Sequence, residues 1–156
     1  MSSRMSHLTL ILRDDVKLVS WTALMFRGFC ELVDCPPGDI VRLELALVEA
    51  LNNIFLHGSS GRDDLEVKVS MQRDEKALAM ELSDNGETIP DIAINSMPDP
   101  LCESSRGLPL IHACVDHVTY SSGNEGNVLV MRKILPLSSR TGAPGGSIRI
   151  SGQIYS

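Results

Sequence analysis

A two-layer α/β sandwich is the fold class this sequence predicts, a mixed and mostly antiparallel sheet with helices on one face (α+β). Three observations carry the prediction. Apolar residues alternate with period two at 7–12, 65–71 and 77–82, the mark of strands with one buried face, and 127–135 is a strongly apolar last strand. They recur at helical spacing over 16–34 and 39–58. The resulting order is strand, helix, helix, two strands, loop, helix, two strands.

His7 to Leu12 opens the chain as a strand. Arg13-Asp14-Asp15 then supplies a helix start, with acidic residues at the positive end of the dipole. Val16, Val19, Ala23, Phe26, Cys30 and Val33 form the core stripe of the first helix, and Trp21 falls at its margin. Cys35-Pro36-Pro37-Gly38 breaks the chain, and Asp39 is positioned to cap the second helix. That helix stops near Gly58. Its apolar residues Val41, Leu45, Leu47, Val48, Leu51, Ile54 and Phe55 leave little surface for water, so it is expected inside the protein.

The strands from Leu65 and Ala77 are joined by Arg73-Asp74-Glu75-Lys76, a charged hairpin. Ser83-Asp84-Asn85-Gly86 ends the second of them in a turn. From Glu87 to Arg106 periodicity fades, and a loop of that length in a small domain is more often functional than idle. Gly107 opens a short apolar helix, with Pro109 tolerated in its first turn. Two further strands are separated by a turn over 123–126. The domain is drawn at 1–136, and 137–156 is a Gly/Ser-rich tail that either adds an edge strand or stays free.

Composition narrows the function. A net charge of −6 without any basic run argues against nucleic acid, because phosphate neutralisation needs clustered Lys and Arg. A small phosphate ligand stays open, since backbone N–H groups and one metal ion can hold it. Apolar runs are too short to span a membrane or to act as a secretory signal, so a cytoplasmic protein is expected. Cys30, Cys35, Cys102 and Cys114 show no zinc spacing and are expected as reduced, mostly buried thiols. His112 and His117 are not assigned to a metal.

Three features remain. Glu49 and Asn53 lie four residues apart, on one face of the second helix. A buried carboxylate there needs a partner or a metal; alternatively Glu49 lies at a solvent edge and Asn53 satisfies a backbone group. An Asp-x-Gly turn at Asp84 to Gly86 follows a strand. The glycine at 107 begins a helix, where N–H groups and the dipole favour an anion.

In this order, E-A-x-x-N-x-x-x-H-G (Glu49 to Gly58), ELSDNG (Glu81 to Gly86) and RGLPLI (Arg106 to Ile111) resemble the GHKL, or Bergerat-fold, ATPases. Within that family the chain looks most like the anti-sigma-factor serine kinases, over roughly 7–135. The resemblance implies ATP and Mg²⁺. Asn53 would coordinate the metal, and Asp84 would accept a hydrogen bond from the adenine amino group. Gly86 would admit the base, and Arg106, Gly107 and Leu108 would lie on the phosphate side. Glu49 would be the general base for a serine hydroxyl. The implied partners are a STAS-type anti-anti-sigma protein, whose serine is phosphorylated, and a sigma factor that the kinase holds; a homodimer is also implied. Pro109 stands where the family has the second glycine of its box, and Gly126-Asn127 where it often has Gly-Thr. Asn127 would still reach the adenine region. A binding module of the same fold, without useful kinase activity, is the alternative that Pro109 and Asn127 motivate.

Overall fold

The computed structural model describes residues 5–13, 15–58, 61, 63–88, 107–136 and 147–151. The elements follow as β1 (Ser6–Arg13), α1 (Leu18–Leu32), α2 (Pro37–Gly58), β2 (Glu66–Arg73) and β3 (Ala77–Asp84). They continue with α3 (Gly107–Cys114), β4 (His117–Gly123), β5 (Gly126–Ile134) and β6 (Ser147–Ser151). One six-stranded sheet runs in the order β4-β5-β3-β2-β1-β6. Every neighbouring pair is antiparallel except β1 with β6, which is parallel, so the sheet is mixed as expected. The tail segment thus contributes an edge strand.

Register explains where the core sits. Leu8 faces Met71, Met71 faces Met80, and Met80 faces Met131 across four strands. The next row is Leu10, Val69, Leu82 and Leu129. Both rows are buried under the helices. Phe26, Leu43, Leu47 and Leu51 from α1 and α2 close over them with no exposed surface. Burial of one such side chain contributes roughly 1.5–3 kcal/mol, so this layer dominates the stability.

Local chemistry sets the element ends. Asp15 turns the chain into α1: its Oδ1 accepts from Lys17 N at 2.9 Å. The helix itself starts at Leu18, later than the acidic cluster suggests. In the β2–β3 hairpin, Asp74 Oδ1 accepts from the N–H groups of Lys76 (2.7 Å) and Ala77 (2.8 Å). Asp39 is not the cap of α2; the helix begins at Pro37, and the Pro36 carbonyl accepts from Asp39 and Ile40. Asp39 instead sits in the first turn, where the dipole still favours it.

Three apolar expectations fail. Val16 is 62% exposed because it precedes α1 rather than belonging to its core stripe. Val41 is 58% and Leu45 40% exposed, so α2 is not buried all round. Trp21, at 61%, faces outward beyond the margin. For Val41, Leu45 and Trp21 the cause is shared: α1 and α2 each cover the sheet with one face and turn the other away from it. No helix among the described residues is long and apolar enough to cross a membrane.

Candidate functional site

The third row of the core face turns polar. Leu12 faces Val67, Val67 faces Asp84, and Asp84 faces Asn127. Alternation along β3 places Leu78, Met80, Leu82 and Asp84 on one side, so the carboxylate enters the interior from an apolar strand face. Asp84 is 9% exposed and Asn127 3%. A carboxylate buried this far needs donors. Asp84 Oδ1 accepts from Gly86 N at 2.8 Å and from Asn127 Nδ2 at 3.0 Å. The same amide lies 3.2 Å from Gly86 O and 3.1 Å from Glu87 O, which ties the turn to β5.

Backbones approach closely around this pair. A Cβ on Gly86 would stand 2.8 Å from Gly58 Cα and 3.0 Å from Asp84 Oδ1. On Gly126, at φ +113°, it would stand 2.1 Å from the Asp84 carbonyl oxygen. Asn85 holds the turn from outside, where its Oδ1 accepts from Glu66 N at 2.8 Å and its Nδ2 donates to Asp64 O at 2.9 Å. The Asp-Asn-Gly segment is therefore both a turn and a scaffold. Asn85 fixes the loop, while Asp84 is directed inward.

Beside Asp84 a narrow cleft opens between α2, α3 and the sheet. Ala50, Asn53 and Ile54 form one wall, Leu108 and Ile111 another, and Val118, Tyr120 and Leu129 the sheet side. Its volume, about 20 Å³, is room for about one water. A planar base entering it must displace side chains such as Leu108 or Tyr120. Two polar groups, Asp84 and Asn53, interrupt walls that are otherwise apolar, except for the Tyr120 hydroxyl. Glu49, one turn before Asn53, is half-buried and stands outside that lining.

Asp84, Asn53 and Leu108 are thus brought together, and Gly86 packs against Gly58 at the end of the Glu49–Gly58 motif. Gly107 starts α3 as expected. Pro109 is third in that helix, where a missing N–H breaks no intrahelical bond. Arg106, Cys102 and the segment over 89–106 lie outside the described residues. Asn127 matters more than its sequence position indicates, and Tyr120, Val118 and Leu129 join the cleft without belonging to any motif. Strand parity holds the signal, because Asn127 alternates with Leu129 and Met131 onto the core side.

The donor set suits a purine and a hard cation. A carboxylate framed by apolar walls matches a base edge that carries an amino group. Asn53 and Glu49 offer oxygen donors, and among the described residues no group of three or more His, Cys, Asp or Glu is placed to hold a metal. A cation here would take most of its ligands from a bound phosphate and water, the habit of Mg²⁺.

Comparison with known proteins agrees with this fold. Residues 12–133 match the family model described as histidine kinase-like ATPase domain. No curated protein matches the chain. The structure of the RsbU and RsbW domains of Rv1364c from Mycobacterium tuberculosis is similar at TM-score 0.61 and 16% identity, covering 83% of this chain and 32% of that one. This chain therefore spans about a third of that neighbour's length. The nucleotide-free catalytic domain of the histidine kinase ThkA is similar at TM-score 0.53 and 10% identity, covering 86% of this chain and 97% of that one. At these identities the likeness is one of fold.

Proposed function

We propose that this chain, which belongs to the histidine kinase-like ATPase domain family, is an ATP-dependent serine kinase for a STAS-type anti-anti-sigma protein and also sequesters a sigma factor. The observation that carries the reading is the buried Asp84, held by Asn127 in a cleft that also receives Asn53. With Oδ1 committed to two donors, the second carboxylate oxygen would accept the adenine amino group. Such a bond contributes about 1.5–3 kcal/mol and disfavours guanine, which offers a carbonyl there.

Bound Mg²⁺ would supply charge compensation at the phosphates. Asn53 is the protein oxygen donor for it, with Arg106, Gly107 and Leu108 on the phosphate side. Glu49 would take the proton from the substrate serine hydroxyl, which is why a carboxylate is needed one turn from Asn53. The partner class is supported by the Glu49–Gly58 motif and its resemblance to the anti-sigma kinases. That class acts in the cytoplasm.

A homodimer belongs to the same reading. Trp21, Leu24, Met25 and Leu32 are exposed at helical spacing on α1, and Val41 and Leu45 are exposed on α2. Exposed apolar surface of this kind marks an interaction site. A second reading, a binding module without transfer, is favoured by the narrowness of the cleft and by Pro109. Incubation with Mg-ATP and a STAS-type protein separates the two. Phosphoserine on the partner supports the kinase, whereas a stable complex with no phosphoserine supports the module.

A further inference from the structure

We propose that Cys30 and Cys35 form a peroxide-responsive dithiol, in which Cys35 reacts first and Cys30 resolves it into an intramolecular disulfide. The site is built by the end of α1. Cys35 N donates to Cys30 O at 2.9 Å and Asp34 N donates to Glu31 O at 3.2 Å, with Asp34 at φ +53°. These two bonds and the left-handed residue are a Schellman cap, whose geometry brings the side chains three before and two after the cap into contact. That contact is ordinarily hydrophobic; here both positions are cysteine. The two thiols hydrogen-bond each other.

Their surroundings are unequal. Both are buried, Cys30 with no exposed surface and Cys35 with 6%, so Cys35 is the nearer of the two to solvent. Arg73 follows Val67, Val69 and Met71 on the helix-facing side of β2, is itself 8% exposed, and its Nη1 has no hydrogen-bond partner among the described residues. Its charge acts on Cys35. The hydrogen bond from Cys30 lowers the Cys35 thiol against burial and the Asp39 carboxylate, and the Arg73 guanidinium adds a smaller pull in the same direction. The hydrogen bond to Cys35, burial, and Glu44 and Glu31 raise Cys30. A thiolate beside a cation is the reactive form of cysteine.

The chemistry closes with hydrogen peroxide as the oxidant. The Cys35 sulfur attacks one peroxide oxygen: an S–O bond forms, the O–O bond breaks, and hydroxide leaves to take up a proton. The Cys30 sulfur then attacks the Cys35 sulfur. The S–S bond forms, the S–O bond breaks, and hydroxide departs with the Cys30 proton as water. Two thiols lose two hydrogens, and one peroxide becomes two waters.

Both cysteines fall on the single tryptic peptide between Arg27 and Arg42. The full reduced chain, treated with hydrogen peroxide, quenched with N-ethylmaleimide and digested without reductant, should show that peptide lighter by two hydrogens. Dithiothreitol should restore it, and Cys114, also a buried free thiol, should remain alkylatable on denaturation. In Cys30→Ser, dimedone should trap a sulfenic acid at Cys35. Arg73→Met should slow the reaction by about twofold or more, because the cation that favours the Cys35 thiolate is gone, while Arg73→Lys stays close to the parent. Circular dichroism of each variant confirms that it is folded before its rate is read. Over-oxidation of Cys35 with Cys30 untouched, equal reactivity of Cys114, or an unchanged rate in folded Arg73→Met would overturn the proposal.

Discussion

Asn127 Nδ2 donates to Asp84 Oδ1 at 3.0 Å, between residues that face each other in register on β5 and β3. The bond makes the last row of an otherwise apolar sheet face polar. Asn127→Leu leaves the Asp84 carboxylate with Gly86 N as its remaining described donor to Oδ1. Unfolding free energy should fall by about 1–3 kcal/mol, the penalty of an unsatisfied buried group. Urea denaturation measures it, and ATP affinity should fall in parallel.

Close backbone approach makes a second, asymmetric prediction. Gly86→Ala would press a methyl group onto the Gly58 backbone at 2.8 Å, where nothing flexible can yield. Gly58→Ala would meet Leu65 Cδ1 at 3.5 Å and Gly86 Cα at 3.7 Å, which is ordinary contact. The first change should destabilise by about 2 kcal/mol or more and the second by under about 1 kcal/mol. Equal effects would contradict the packing.

Much of the fold is legible in the residues alone. The strands of 7–12, 65–71 and 77–82 alternate because one face of the sheet is buried, and the pairing of β2 with β3 follows from their charged hairpin. The helical stripe of α1 identifies Val19, Ala23, Phe26, Cys30 and Val33 correctly. Val41 and Leu45 mislead, because apolar character shows what prefers burial and not whether this chain alone supplies the cover. At the site, Glu49, Asn53 and Asp84 are visible as polar residues in apolar settings. Asn127 is harder to weigh since its partner lies 43 positions away, and only strand register brings the two together. The role of β6 is unreadable for the same reason: parallel pairing with β1 leaves no local signature.

Acid sensitivity should come from the hairpin and the sheet edge. Asp74 is lowered despite partial burial by the N–H groups of Lys76 and Ala77, and Asp116 chiefly by the Ile134 N–H. Asp116 Oδ2 accepts from Ile134 N at 2.7 Å, and its Oδ1 from Lys133 Nζ at 3.1 Å. A lowered folded pKa means stability present above the unfolded value of about 3.9 and lost as pH falls through the folded one. Asp74→Asn with Asp116→Asn should flatten the stability–pH curve below about pH 4, by a modest amount since both side chains are partly solvated. Thermal melts across that range measure it.

The proposed base makes a kinetic prediction. Glu49→Gln keeps size and hydrogen bonding but cannot accept the serine proton. Nucleotide affinity should change less than about threefold, while phosphate transfer falls by about 10²-fold or more, the range of general-base catalysis. Radiolabel transfer to the partner, alongside a binding titration, reads both numbers.

For the apolar stripe, Trp21→Glu with Leu24→Glu should convert a dimer to a monomer in sedimentation equilibrium without loss of helicity. A parent chain already monomeric at high concentration would remove the dimer from the proposal.

The most direct measurement is a calorimetric titration of the purified chain with ATP, with and without Mg²⁺, beside GTP and beside Asp84→Asn with ATP. Binding that is Mg²⁺-assisted, prefers ATP over GTP and weakens at least about tenfold in Asp84→Asn is the expected result, one lost charge-assisted hydrogen bond of about 1.5–3 kcal/mol. Equal binding of ATP and GTP, or full affinity in Asp84→Asn, would contradict Asp84 as the adenine-reading group.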